Sequence, residues 1–199
     1  MTLVGFKRAI IGVLDESGNI TETYEVVGKQ DEGATTTAEI TGLSKEATRV
    51  YGSDVAYYVS QQGTGDVTCN LGLLDLPSKV NDKILGYKQS GGISYVGSDT
   101  VAPFCSLIIE SKTLQGDEAV LGFFKGKFSK EAINMQTLNN EAYTPEAETY
   151  VFSAISDTKD GETFGQVLGK YVGKDSEELS KLRSQLLPGD TDTVITPEA

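Results

Sequence analysis

Residues 55–87, VAYYVSQQGTGDVTCNLGLLDLPSKVNDKILGY, restrict the possible folds of this chain more than any other stretch. Val55, Tyr57 and Val59 alternate with Ala56, Tyr58 and Ser60, the period of two that belongs to a strand. Gly63-Thr64-Gly65-Asp66 reads as a turn. Beyond it Val67, Cys69, Leu71 and Leu73 alternate with Asp66, Thr68, Asn70 and Gly72. A short helix should follow, with Pro77 in its first turn, Leu76, Val80 and Ile84 as a single apolar stripe, and Gly86 as its stop. The stretch therefore predicts a tall hairpin feeding a helix, one face made for a core and the other polar. It holds no catalytic grouping, and its pattern is that of a building block.

The rest of the chain reads mostly as strands. Residues 4–14 and 20–27, separated by Asp15-Glu16-Ser17-Gly18-Asn19, predict a hairpin. In residues 34–41, Thr35, Thr37, Glu39 and Thr41 share one face against Ala34, Ala38 and Ile40, with Thr36 out of phase. Residues 43–51 read as a short helix, with Ser44 as N-cap, Ala47, Val50 and Tyr51 as its apolar side and Gly52 as its end. One short strand, 93–96, sits in the Gly- and Ser-rich segment 88–100. Residues 101–112 and 119–128 predict a second hairpin, 131–138 a continuation past a bend, 139–148 a loop and 149–155 a further strand. Leu179, Leu182, Leu186 and Leu187 mark an amphipathic helix over 176–187, ahead of a flexible tail. The expected architecture is mainly β: an antiparallel β-sandwich or barrel of about seven to nine strands with one or two short helices. A domain over 1–155 and a C-terminal extension over 156–199 are expected.

Composition removes most chemistry. The 199 residues contain no histidine and no tryptophan, so the commonest general base and metal ligand is missing and serine or cysteine nucleophiles lack their usual activator. Gly63-Thr64-Gly65 is followed by a strand, which argues against a dinucleotide loop. Glu110 with Asp117 or Glu118 could form a carboxylate pair, but the stacking aromatics of glycoside chemistry are scarce. Asp157, Asp160 and Glu162 lack the spacing of a calcium loop. No catalytic residue, cofactor or metal site is expected. With 29 acidic against 17 basic side chains the net charge is −12, which disfavours general phosphate binding. The N-terminal segment does not read as a signal peptide, no apolar run approaches a membrane span, and synthesis in the cytoplasm is expected. Cys69 and Cys105 lie in apolar strand-like runs, and two buried thiols and a disulfide both remain open. Tyr57 and Tyr58 should divide between core and surface or interface. Phe123 and Phe124 divide in the same way, and a strand apolar on both faces suggests that a neighbouring subunit covers one of them.

An ordered series of short motifs resembles a known family. Val4-Gly5-Phe6-Lys7-Arg8, Ile40-Thr41-Gly42-Leu43, the segment 57–67, Leu71-Gly72-Leu73-Leu74-Asp75-Leu76-Pro77, Leu85-Gly86-Tyr87, Thr100-Val101-Ala102-Pro103-Phe104 and Phe124-Lys125-Gly126-Lys127-Phe128-Ser129 are similar to the major tail proteins of long-tailed phages of Gram-positive bacteria. The likeness runs from about residue 3 to about residue 155 and weakens after Gly161. It implies a tail tube subunit of the virion, with a β-sandwich similar to the tube protein of type VI secretion. It further implies hexameric rings that stack into a tube in the host cytoplasm and a channel that carries double-stranded DNA without specific binding. Tape-measure, tail terminator and distal tail proteins are the implied partners, and no membrane is. Thr35, Thr37, Glu39, Thr41, Asp66, Thr68 and Asn70 are the candidate channel lining, because they alternate with an apolar face, although plain solvent exposure would give the same pattern. The competing expectation is a monomeric β-sandwich binding module, a surface adhesin or carbohydrate binder.

Overall fold

The computed structural model describes residues 2–29, 31–137 and 143–189. β1 (Leu3–Leu14) and β2 (Ile20–Val26) form the expected first hairpin, its turn closed by the Asp15 carboxylate accepting from the Asn19 N–H at 2.8 Å. β3 (Ala34–Thr41) and β6 (Thr68–Leu74) pair antiparallel. Between them stands a separate ribbon of β4 (Thr48–Gly52) and β5 (Val55–Ser60). α1 (Ser78–Leu85) follows β6, with Pro77 as N-cap and Gly86 as a left-handed C-cap whose N–H reaches the carbonyls of Asp82 and Lys83. Then come the small ribbon β7 (Lys88–Ser90) and β8 (Ile93–Tyr95), the hairpin β9 (Cys105–Thr113) and β10 (Glu118–Ser129), β11 (Glu148–Ile155), β12 (Leu168–Gly173) and α2 (Ser176–Leu186).

The main sheet is antiparallel and runs β2-β1-β9-β10-β11-β6-β3. β10 is long enough to hold two partners on one edge: Lys125–Ser129 pairs with β11, and Glu118–Phe123 pairs with β12. The expected division at residue 155 thus falls between two strands that share the same edge of β10. The sheet curls until β3 meets β1, where the Thr35 hydroxyl donates to the Phe6 carbonyl at 2.9 Å. Inside the curl lie Ile11, Leu71, Leu107, Phe123, Tyr150 and Phe152, with Val80, Ile84 and Leu85 of α1 packed onto the same core. Side chains of this size each contribute about 2 kcal/mol when buried.

A second apolar layer lies on the outside of the sheet. Ile10, Ile108, Val120, Phe124 and Tyr171 meet Leu179, Leu182, Leu186 and Leu187 of α2 and its end. Three glycines make room for them. A Cβ at Gly12 would strike Leu187, one at Gly122 would strike Leu186, and one at Gly169 would strike Leu182. Asp175 caps the helix by accepting from the Glu177 N–H at 2.8 Å. Arg183 reaches Glu110 of β9 at 2.7 Å.

Four expectations are corrected. Residues 48–52 form strand β4, not part of a helix: β-branched and aromatic residues at Val50 and Tyr51 suit a strand, and Ser53 and Asp54, both at positive φ (52° and 64°), close a two-residue hairpin turn. The hairpin expected across Gly63-Thr64-Gly65-Asp66 does not form, because β5 pairs with β4 while both edges of β6 are taken by β3 and β11. Residues 131–137 make no strand. Finally, the second apolar face of β10 is covered by α2 of the same chain and not by a neighbour, with Phe123 in the inner core and Phe124 beneath the helix.

Candidate channel face and assembly arm

The outer face of β3 and β6 gathers five of the seven candidate lining residues. Thr41 stands opposite Thr68, their hydroxyls 2.8 Å apart, and Glu39 stands opposite Asn70, whose amide donates to it at 3.5 Å. Thr37 stands opposite Gly72. A bulge at Thr36 then shifts the phase. Thr36 and Thr37 together cover Gly72, where a Cβ would meet both hydroxyls, and Thr35 turns away to bond β1. Asp66 is exposed just before β6 begins.

The same face continues onto strands that the sequence pattern had not linked to it. Thr149, Val151 and Ser153 of β11 lie opposite Gly72, Asn70 and Thr68, and Lys127 of β10 lies opposite Ser153. The clue was the alternation of these residues with Tyr150, Phe152 and Ala154; the strand pairing that joins them is not written in the local sequence. Lys125 and Lys127 both hold their ammonium groups 4.6 Å from the Phe104 ring, an arrangement that spreads positive charge over an aromatic surface. The hydroxyls of Thr37, Thr41, Thr68, Thr149 and Ser153 and the Asn70 amide share this face with the charges of Glu39, Lys125 and Lys127.

The β4–β5 ribbon is the opposite kind of surface. Every residue of both strands is exposed. Tyr57 and Tyr58 were expected to divide between core and surface, yet both are exposed, Tyr57 at 83%. Val50, Tyr51, Val55 and Val59 join them, so the arm presents apolar groups on both sides. Two strands alone are marginally stable in water, so such a ribbon needs a cover. Its root is tight: the Gly65 N–H donates to the Gly42 carbonyl at 2.9 Å, and a Cβ at Gly42 (φ +76°) would collide with the Asp66 carbonyl.

The remaining candidates serve the fold. Both Glu110 oxygens are occupied at 2.7 Å, one by Arg8 Nε and one by Arg183 Nη2, so Glu110 is a buried charged acceptor and not half of a proton-sharing pair. Asp117 faces Lys174 at 3.3 Å. Asp157 shapes its own turn, accepting from the Lys159 N–H at 3.1 Å and the Thr163 hydroxyl at 2.6 Å. Among the described residues, no group of three or more His, Cys, Asp or Glu side chains is placed to hold a metal ion. No described helix is long and apolar enough to cross a membrane. Cys69 and Cys105 are free thiols in the core, where burial pushes both up to about 12.

No curated protein matches this sequence. A family model described as phage tail tube protein matches residues 1–182, which takes in the whole main sheet, the arm and α2 as far as Leu182. The chain belongs to the phage tail tube protein family.

Proposed function

We propose that this structural protein of the virion tail assembles into hexameric rings that stack into a tube, and that the phage genome leaves as double-stranded DNA through the central channel. Family membership supports a tail tube that self-assembles and works with other tail proteins. The ring number, the passage of DNA, the long-tailed phage of a Gram-positive host, assembly in the host cytoplasm, and tape-measure, terminator and distal tail partners belong to this proposal. The observation that carries it is the β4–β5 arm, apolar on both faces and uncovered by any of the described residues.

The position of the arm also supports head-to-tail assembly. It leaves the sheet between the end of β3 and the start of β6, where Thr41 pairs with Thr68. The β7–β8 ribbon and the exposed Ile133, Met135 and Tyr143 belong to connections at the other end of β6 and β11, where Leu73 pairs with Glu148. Different apolar projections at opposite ends are what a heterologous, repeating contact requires. We assign the hydroxyl- and amide-rich face around Thr37, Glu39, Thr41, Thr68 and Asn70 to the channel. Its hydroxyl groups and a chain net charge of −12 would limit retention of phosphates, with Lys125 and Lys127 as the cationic groups at its β10 side.

Electron microscopy of the purified chain tests assembly: rings or tubes are expected. Monomers alone at high concentration, even with tail partners supplied, would overturn it. Replacing Thr41 and Thr68 by lysine tests the channel. Tubes should still form while DNA release slows; unchanged release would place this face on the outside. The arm's exposed tyrosines are the one feature that favours a monomeric glycan-binding module. However, Tyr57 and Tyr58 project from opposite sides of a strand and make no single platform. Glycan-array binding by a stable monomer would support that reading instead.

A further inference from the structure

A chain of polar groups crosses the molecule beneath α1. The chain leaves β10 after Ser129 and enters β11 at Glu148, and Lys130 and Glu148 pin these two points together at 2.8 Å. Only 6% of the Lys130 side chain is exposed. Next to them is the fully buried Tyr150, whose hydroxyl lies 2.8 Å from Asn81 Oδ1 and 3.1 Å from Glu148 Oε2 and accepts from Lys130 Nζ at 3.5 Å, so the ammonium acts on it both directly and through Glu148. Asn81 Nδ2 donates onward to Asp82 Oδ1 at 2.9 Å. Asp82, itself buried, accepts from Ser94 and Gln89, the central cross-strand pair of the β7–β8 ribbon.

The Tyr150 hydroxyl has one proton and two acceptors. Burial and then the charge of Glu148 raise its pKa, so the proton stays on the hydroxyl. While the Lys130 ammonium neutralises Glu148, the shorter bond to Asn81 prevails. Without that ammonium, the bare carboxylate becomes the stronger acceptor and draws the proton away from Asn81. Asn81 then loses its anchor, and with it Asp82 loses a fixed partner.

We propose that the Tyr150 hydroxyl is a two-position coupler between the Lys130–Glu148 junction and the β7–β8 ribbon, so that loosening the junction frees the ribbon. Because coupling is reciprocal, loosening the ribbon must also be felt at the junction. Tyr150 acts here as a positioning residue. The device lies within one chain and is independent of the ring number and of the channel assignment.

Hydrogen exchange on the full-length, unassembled chain tests it. Lys130→Met should raise exchange in residues 88–95 about tenfold, the equivalent of one charge-assisted hydrogen bond. In a Tyr150→Phe background the same change should alter residues 131–137 and leave the ribbon as it was. Asp82→Asn should in turn raise exchange at residues 143–148 while Tyr150 is present. If Tyr150→Phe does not fold, Asn81→Ala breaks the same link from the helix side. An unchanged ribbon in Lys130→Met, or an equal change with and without the Tyr150 hydroxyl, would overturn the proposal.

Discussion

Strand β10 and the β4–β5 arm are both apolar on two faces, and the molecule treats them in opposite ways. β10 has the curled core beneath Phe123 and α2 above Phe124. The arm has neither: its strands leave the sheet, and Tyr57 and Tyr58 both face solvent. Two-sided apolarity therefore marks a strand that needs two covers. It does not tell whether the second cover lies further along the same chain or on another copy. For β10 the cover arrives some fifty residues later, as leucines that fit three glycine gaps.

The strongest way to break this comparison is at the helix. Leu186→Ala removes a fully buried side chain seated over Gly122 and should cost about 4 kcal/mol, read as a lower denaturation midpoint. An unchanged midpoint would mean that α2 is not the cover of β10. Glu110→Ala leaves the Arg8 and Arg183 guanidiniums facing each other without their shared carboxylate. We expect a loss of about 3 kcal/mol, with α2 more open to proteolysis than β1. Replacing all three by apolar residues of similar volume should recover much of it.

Two smaller effects sharpen the contrast. The hydrogen bond from Lys130 holds the Glu148 carboxyl below its usual range. A depressed folded pKa contributes stability that is complete above the unfolded value and is lost as pH falls through the folded one. Denaturation followed from about pH 5 down to about pH 3 should show that loss, and Lys130→Met should flatten it. Smallest of all should be Tyr57→Ser with Tyr58→Ser. The change in stability of the isolated chain is expected within about 0.5 kcal/mol, since neither ring is buried. The same pair should abolish tube formation. Normal tubes from this variant would separate the arm from assembly.

What could be read in advance follows a physical line. The β1–β2 and β9–β10 hairpins, α1 and α2 were legible because strong local periodicity and turn or cap residues agreed there, as with Pro77 and Gly86 around α1. The polar face was legible at Thr41, Thr68 and Asn70 for the same reason. Thr35 was misplaced because a bulge breaks the period without any glycine or proline to announce it. Residues 48–52 were misread because Ala47, Val50 and Tyr51 satisfy a helical stripe and a strand equally over so short a run. Thr149 and Ser153 joined the face through long-range pairing, which no local pattern encodes.

The closed root of the arm has a consequence for how such a protein can change. Where Gly42 meets the Asp66 carbonyl, the chain leaves the body and returns to it through a narrow base, closed by the Gly65 N–H on the Gly42 carbonyl and the Lys45 N–H on the Gly63 carbonyl. The side chains of its two strands are all exposed, so rewriting them should change the stability of the fold that carries them only slightly. On the proposed assembly the arm is then an exchangeable cassette: a graft between Ser53 and Asp54, or a whole arm from a relative, is expected to alter which copies recognise one another while the body stays the same. Gly42 is the residue such an exchange must leave untouched.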